Sequence, residues 1–370
     1  MKERNNDMKP EKKENAGSKS KHKTQKKRKT TKKKKILLCS LLGVVLLLVA
    51  AGCYLLYSGI NATEKTQYVY IDSDDNLDSV CTKVGEHAKP LQMRIFKMLA
   101  SNSNYGEHIK KGRYGIDKSI GAYPLFRQLK KGEQTAVNLP VPSVRTVETM
   151  AARLSKKLEM DSLALVKALT DVATCQRLSC DTCTIMGLFI PNTYNIYWDV
   201  TPDELLDRMK KEYDRFWNDS RKKKADVLGM DPMEVVTLAS IVAEETNYKP
   251  EKPIVAGLYL NRLKKGMLLQ ADPTVKFALK NFGAKRVLNS MLTVDNPYNT
   301  YRYGGLPPGP IRNPETDNID AVLDYAQHDF LYMCAKETFD GTHNFAKTMA
   351  EHEANARRYA AALNERGIKK

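Results

Sequence analysis

The sequence predicts an α+β protein of 370 residues with a single N-terminal transmembrane helix, a small mixed α+β module and a larger helix-rich domain. Three observations predict it. Residues 36–57 form a run of 22 without a charge, dominated by Leu, Val and Ala. Residues 66–141 alternate short strand-like and helix-like patterns. From residue 143 onward, long apolar stripes of helical period are broken by Pro- and Gly-rich loops.

The first 35 residues hold 16 Lys or Arg against 4 Asp or Glu, a net of +12 out of +17 for the whole chain. A segment this poor in apolar residues cannot bury a core, so 1–35 reads as a disordered basic tail. A lysine run of this kind can also be a nucleic-acid arm, but the apolar run behind it favours a membrane flank, and no nucleic-acid partner is expected. At 1.5 Å per residue, 36–57 spans about 33 Å, enough for a hydrocarbon core of roughly 30 Å. Only Lys65 offers positive charge in the dozen residues after it. The asymmetry puts the tail in the cytoplasm and the rest outside, in a single-pass protein of the cytoplasmic (inner) membrane with a periplasmic or otherwise extracytoplasmic domain. A cleaved signal peptide has a shorter apolar region, and the Ala50-Ala51-Gly52-Cys53 hint of a lipoprotein signal follows too long a basic lead.

In the small module, residues 67–71 alternate as a strand; Leu77, Val80 and Val84, then 91–99, follow helical spacing. Residues 112–116 form a short strand; Leu125, Phe126 and Leu129 form a helix face ending near Gly132; 135–141 is strand-like again. In the second domain, 143–370, helices are predicted over 147–158, 162–169, 203–216, 254–263 and 348–366, with Pro202 near the start of the third.

The most telling helix is 238–246, Leu-Ala-Ser-Ile-Val-Ala-Glu-Glu-Thr. At roughly 100° per residue, Leu238, Ile241, Val242 and Glu245 share one face, and Thr237, Ser240 and Glu244 a more polar one. Glu244 should be solvated. Glu245, at the end of an apolar stripe, loses hydration, which raises its pKa and makes it a candidate general acid. The alternative is a helix end where Glu245 snorkels out or pairs with Arg262 or a lysine.

Downstream lie Asn261-Arg262-Leu263, Leu269-Gln270-Ala271-Asp272-Pro273-Thr274, Tyr298-Asn299-Thr300-Tyr301, Gly305-Leu306-Pro307-Pro308-Gly309 and Gly341-Thr342-His343. With the 238–246 helix, this ordered set closely resembles the endolytic murein transglycosylases, the MltG or YceG-like family, from about residue 66 to the C-terminus. The family's helix ends in Glu-x-Glu-Thr; its first acid is Ala243 here, and its catalytic glutamate matches Glu245. The resemblance implies a LysM-like module over 66–141, on Gly112-x-Tyr114 and Leu129-x-x-Gly132, and a catalytic YceG-like domain over 143–370.

It also implies a membrane-anchored lytic transglycosylase of cell-wall assembly that cleaves the β-1,4 bond between N-acetylmuramic acid and N-acetylglucosamine within strands. Glu245 would protonate the bridging oxygen, then take a proton from the C6 hydroxyl of the same muramic acid as that hydroxyl closes a 1,6-anhydro ring. Asn261, Gln270, Asp272, Thr274, Tyr298, Asn299, Tyr301 and His343 are the candidate substrate contacts. Asp272 could double as a second carboxylate, although Asp before Pro is commonly a turn initiator.

The implied partners are peptidoglycan glycan strands, the membrane and peptidoglycan synthases; neither cofactor nor metal is expected. Two other readings stay open: a non-catalytic glycan-binding scaffold, favoured only by Ala243, and a muramidase that uses water. Of seven cysteines, five lie beyond the apolar run. Cys180-Asp181-Thr182-Cys183 lacks the partner pair of a metal site, so a local disulfide from Cys175 to Cys180 or Cys183 is expected outside the membrane.

Overall fold

The computed structural model describes residues 18–366 other than Lys285, and of 18–31 the backbone alone. Its contacts divide the chain into two compact units, Met1–Gln134 and Thr135–Lys370.

The first unit opens with α1, Ser18–Tyr57. Its stretch Lys32–Tyr57 is long and apolar enough to cross a membrane, and none of its most apolar window is buried. The helix starts 18 residues before the apolar run, so 18–35 is helical where a disordered tail was expected. Once the apolar span has nucleated a helix, each further residue adds a hydrogen bond, and lysine is a good helix former. Residues 1–17 of that tail lie outside the described residues.

Next come β1 (Gln67–Ile71), α2 (Leu77–Gly85), α3 (Pro90–Ser101), β2 (Gly112–Ile116) and α4 (Ala122–Lys131). β1 and β2 pair antiparallel, Val69 opposite Tyr114. α2 is closed at its start by a capping box between Asn76 and Ser79. α4 ends at Gly132 in the left-handed conformation, φ +74°, which a side chain would disfavour. Val80, Val84, Phe96, Tyr105, Tyr114, Leu125 and Leu129 form the core beneath the two strands.

The strand expected at 135–141 does not belong to this module. β3 (Val137–Val141) pairs antiparallel with β4 (Asn192–Ile196) of the second unit. Val137, Leu139 and Val141 are the buried face of β3, the last two within the larger core, and burial of that alternating face decides the pairing.

Between those strands lie α5 (Val147–Leu154), α6 (Ser162–Thr170) and α7 (Val172–Arg177). After β4 come α8 (Pro202–Phe216), α9 (Asp219–Leu228), α10 (Pro232–Glu245), α11 (Lys252–Lys264), α12 (Asp272–Ala278) and α13 (Thr316–Leu323). A hairpin of β5 (Tyr332–Ala335) and β6 (His343–Ala346) and the last helix, α14 (Met349–Glu365), complete the chain. The sequence pattern misses α7, α9, α12 and α13: each is ten residues or fewer, too short for a periodicity to stand out.

α10 is the central helix. Asp231 caps its start in a box with Glu234, and Pro232 fits the first turn. Every residue from Val235 to Val242 is buried, Thr237 and Ser240 included. The polar face read from the sequence therefore meets protein, not water. The Ser240 hydroxyl donates to the Thr237 carbonyl and accepts the Ile311 N–H, so its polarity is matched internally.

Candidate active site

Glu245 is the last residue of α10, where Thr246 turns the backbone to an extended conformation. It opens into a cleft of about 300 Å³ lined by Tyr259, Arg262, Gln270, Asp272, Tyr301, His343 and the β5 residues Met333 to Ala335, among others. Burial pushes its carboxyl up to about 7 from an ordinary 4.5, and the negative charge of Asp272 adds to the rise. The Tyr259 hydroxyl donates to Oε1 at 2.6 Å, and this bond, with His343, pulls the other way. Tyr259 itself is held well above its usual pKa, first by burial and then by Glu245, so it stays a donor. Glu245 neither snorkels out nor pairs with Arg262.

Arg262 is spent on main-chain carbonyls. Its Nε donates to Leu331 O at 2.6 Å, and Nη1 to Leu269 O at 2.8 Å and Leu268 O at 3.3 Å. It makes no ion pair among the described residues, yet lines the cleft, 7% exposed. Its positive charge opposes the rise in the Tyr259 and Tyr301 pKa values.

Asn261, expected as a substrate contact, is instead a tie. Its amide donates to the carbonyls of His328 at 2.7 Å and Phe330 at 3.2 Å. A turn earlier, Gly257 lets the Ala326 carbonyl come so close that an added Cβ would stand 2.5 Å from it. The Asn-Arg-Leu segment thus clamps α11 onto residues 326–331.

The next two motifs also divide. Thr274 is fully buried, donates to Ala271 O at 2.6 Å and shares a hydrogen bond with Thr300. Asn299, also buried, donates to Leu292 O and Val294 O and accepts the Tyr301 N–H. Tyr298 packs at a tilt of 46° against Phe277, ring centroids 4.8 Å apart. None of these three lines the cleft. Their polar groups close the loops that aim the other members of the same motifs: burying such loops without internal partners would cost about 1–3 kcal/mol per orphaned group.

Those other members do reach the cleft. Gln270 sits in a left-handed turn, φ +51°, held by its N–H on Thr300 O, with an exposed side chain. Asp272 opens α12 rather than a simple turn. The Tyr301 hydroxyl donates to its Oδ1 at 2.6 Å. His343, at the start of β6, is gripped by Glu251: its N–H donates to Oε1 at 2.7 Å, and its Nδ1 lies 3.0 Å from Oε2. Glu251 also accepts the Thr246 hydroxyl.

Sequence reading missed Tyr259, Glu251 and the role of Arg262. Tyr259 falls within the apolar run of α11, where periodicity reads as core. Glu251 lies in the turn after Glu245, and only folding brings it to a histidine 92 residues away.

Glu244 differs from its expectation of a solvated residue. Its side chain is 11% exposed and chelated by two arginines. Arg145 Nε and Nη2 each reach an oxygen at 2.7 Å, and Arg312 Nη1 donates to Oε1 at 3.0 Å. Arg145 precedes α5 and Arg312 precedes α13, so this carboxylate ties three distant segments. Glu244→Gln leaves two guanidinium groups facing a neutral amide. It is expected to lose about 2–3 kcal/mol of stability in urea unfolding, below the range of a fully buried pair because Arg145 is partly exposed. A loss under 0.5 kcal/mol would show the cluster to be incidental.

The expected disulfide among Cys175, Cys180 and Cys183 is not formed; all seven cysteines are free. Cys175 is buried, and Cys180 Sγ donates to its carbonyl. Burial pushes the Cys180 thiol up to about 12, so it is a poor nucleophile.

The family model described as YceG-like matches residues 69–358. The endolytic murein transglycosylase of Bacillus subtilis (strain 168) is 28% identical over 275 residues, 69% of this chain and 74% of that protein. The protein of the same name from Streptococcus pneumoniae serotype 2 is 25% identical over 350 residues, 83% of this chain but 62% of its own longer length. Among solved structures, a YceG-like protein from Listeria monocytogenes has the same fold. The TM-score is 0.52 at 24% identity, over 79% of this chain and 99% of that one.

Proposed function

Because the chain belongs to the YceG-like family, we propose that it is an endolytic lytic transglycosylase of peptidoglycan, anchored by α1. It cleaves the β-1,4 bond between N-acetylmuramic acid and N-acetylglucosamine and leaves 1,6-anhydro-muramic ends. Relatives named endolytic murein transglycosylases support the reaction class, and the apolar stretch of α1 supports the anchor.

The observation that carries the reading is Glu245, whose carboxyl stays protonated up to about pH 7 in a polar cleft. A protonated acid can deliver its proton to the glycosidic oxygen as the C1–O bond breaks. Asp272 has one oxygen engaged by the Tyr301 hydroxyl, so it suits a fixed negative charge beside the oxocarbenium ion better than a free base that activates water. With the hydroxyl at C6 already tethered to the reacting ring, proximity supplies the nucleophile. Gln270 and Tyr301 are the sugar contacts this reading keeps from the sequence; Asn261, Thr274, Tyr298 and Asn299 hold the loops that present them.

The strand–helix–helix–strand order of β1, α2, α3 and β2 supports a LysM-like, glycan-binding role for the first unit. A basic flank before the apolar stretch supports a cytoplasmic N-terminus and an extracytoplasmic site. Peptidoglycan synthases are the partners such an enzyme would act beside.

Mass spectrometry of the products from purified glycan strands, run in oxygen-18 water, tests the reaction. Ends one water lighter than a reducing muramic acid, and without label, are expected. Labelled reducing ends would identify a muramidase and transfer the role of base to Asp272. No cleavage by the folded protein would leave a glycan-binding scaffold.

A further inference from the structure

Arg262 brings a guanidinium to the cleft wall, and the proposed chemistry of Glu245 does not use it. Two of its nitrogens are committed, Nε to the Leu331 carbonyl and Nη1 to those of Leu269 and Leu268. The guanidinium carbon also lies 5.4 Å from the centre of the Tyr332 ring, which helps to fix it in place. Nη2 is different. It makes no hydrogen bond to a described residue, yet it is not sealed from solvent. With the residue 7% exposed and on the cleft wall, the cleft is the opening that reaches Nη2. The hydrogen-bond partners of Arg262 are neutral carbonyls, so no carboxylate among the described residues pairs with its charge. A buried cation in that state is costly unless a further group accepts from it.

The other donors of the cleft narrow the choice of acceptor. The Tyr259 and Tyr301 hydroxyls are turned to Glu245 and Asp272, and the Gln270 side chain is exposed. Sugar hydroxyls can donate to the carboxylates of the cleft, whereas acyl oxygens only accept. They need a donor, and Nη2 is a buried one already held in place. Charge points the same way. A cation beside C1 would oppose the oxocarbenium ion, so Arg262 suits the electron-rich substituents of the ring rather than its reacting carbon.

Resting on the transglycosylase reading, we infer that Arg262 is a specificity-determining residue. Its Nη2 donates to an acyl oxygen of the bound sugar, either the acetamido carbonyl at C2 or the lactyl carboxyl at C3. No bond is made or broken at this contact. It ranks strands by their acyl groups and fixes the ring so that the bridging oxygen meets Glu245. A strand without that oxygen leaves a buried, charged donor unpaired, which is the setting in which one missing polar group discriminates strongly.

The test keeps the full-length protein unaltered in detergent and varies the substrate. Purified glycan strands are compared in three forms: native, de-N-acetylated, and with the lactyl carboxyl reduced to an alcohol. In at least one altered form kcat/KM is expected to fall about 10-fold or more, as for a lost hydrogen bond to a charged donor. The form that falls names the acyl group, and chemical re-N-acetylation should reverse a loss in the first. Losses below about threefold in both forms would overturn the inference.

Arg262→Met should then treat native and altered strands alike, within about threefold. The wild-type preference kept in a folded Arg262→Met protein would overturn the inference. That variant also loses its carbonyl contacts and can fail to fold, so nitrogen-15 arginine spectra of the Glu245→Gln protein supply a second readout. Native strands should shift one guanidinium signal, and the strands that the enzyme rejects should not. Arginine signals that ignore native strands would overturn the inference. Anhydro ends formed with no acyl preference sink this inference alone. Labelled reducing ends in oxygen-18 water, with the acyl preference intact, sink only the transglycosylase reading, so the two failures are distinguishable.

Discussion

Glu245→Gln is expected to reduce cleavage of glycan strands by about 10³-fold or more while leaving glycan binding intact. The amide fills the same space at the end of α10 and can still accept the Tyr259 hydrogen bond, but it has no acidic proton to give. Stability sets this variant apart from a merely damaged one. The folded carboxyl titrates near 7 and the unfolded one near 4.5. As pH rises from 4.5 the unfolded chain releases its proton first, so the wild type loses stability up to about pH 7 and stays lowered above it. The glutamine variant escapes that loss. It should therefore be inactive and yet at least as stable as wild type in urea at pH 8. A variant that is inactive because it is less stable at pH 8 would count against Glu245 as the acid.

The second large effect is on the pH dependence of kcat/KM. An essential acid titrating near 7 gives an alkaline limb that falls tenfold per pH unit, so activity at pH 9 should lie about 100-fold below its maximum. Two substitutions should move that limb in opposite directions. Tyr259→Phe removes the hydrogen bond that favours the carboxylate, so the limb shifts to higher pH. Asp272→Asn removes a negative charge that disfavours the carboxylate, so it shifts to lower pH. Shifts of the same sign in both, or a limb that stays put, would mean that another group titrates.

The desolvated setting of Glu245 was legible because it needs only local order. An apolar helical stripe ending in a glutamate fixes its own neighbours at i−3 and i−4, so loss of hydration at Glu245 follows from spacing. The same reading failed one residue earlier. Glu244 lies beside Glu245 in sequence, but its fate depends on Arg145 and Arg312, 99 and 68 residues away. No period encodes that distance. The split among the polar motifs has a similar cause. Gln270, Asp272 and Tyr301 face the cleft, while Thr274 and Asn299 turn inward within three residues of them. Which way each points is set by loop hydrogen bonds formed only after the loops have closed.

By itself, the sequence determined the apolar helix, the main helices of the second unit, the desolvated setting of Glu245 and the family resemblance, all of which rest on short-range pattern or on ordered motifs. Only the tertiary structure decided that β3 belongs with β4, that the Asn261 amide and the Arg262 guanidinium hold main-chain carbonyls, that Tyr259 donates to Glu245 and that Glu251 grips His343. The physical reason is desolvation. A polar side chain that leaves water must find a partner, and which partner is in reach is fixed by segments that meet only when the core has formed.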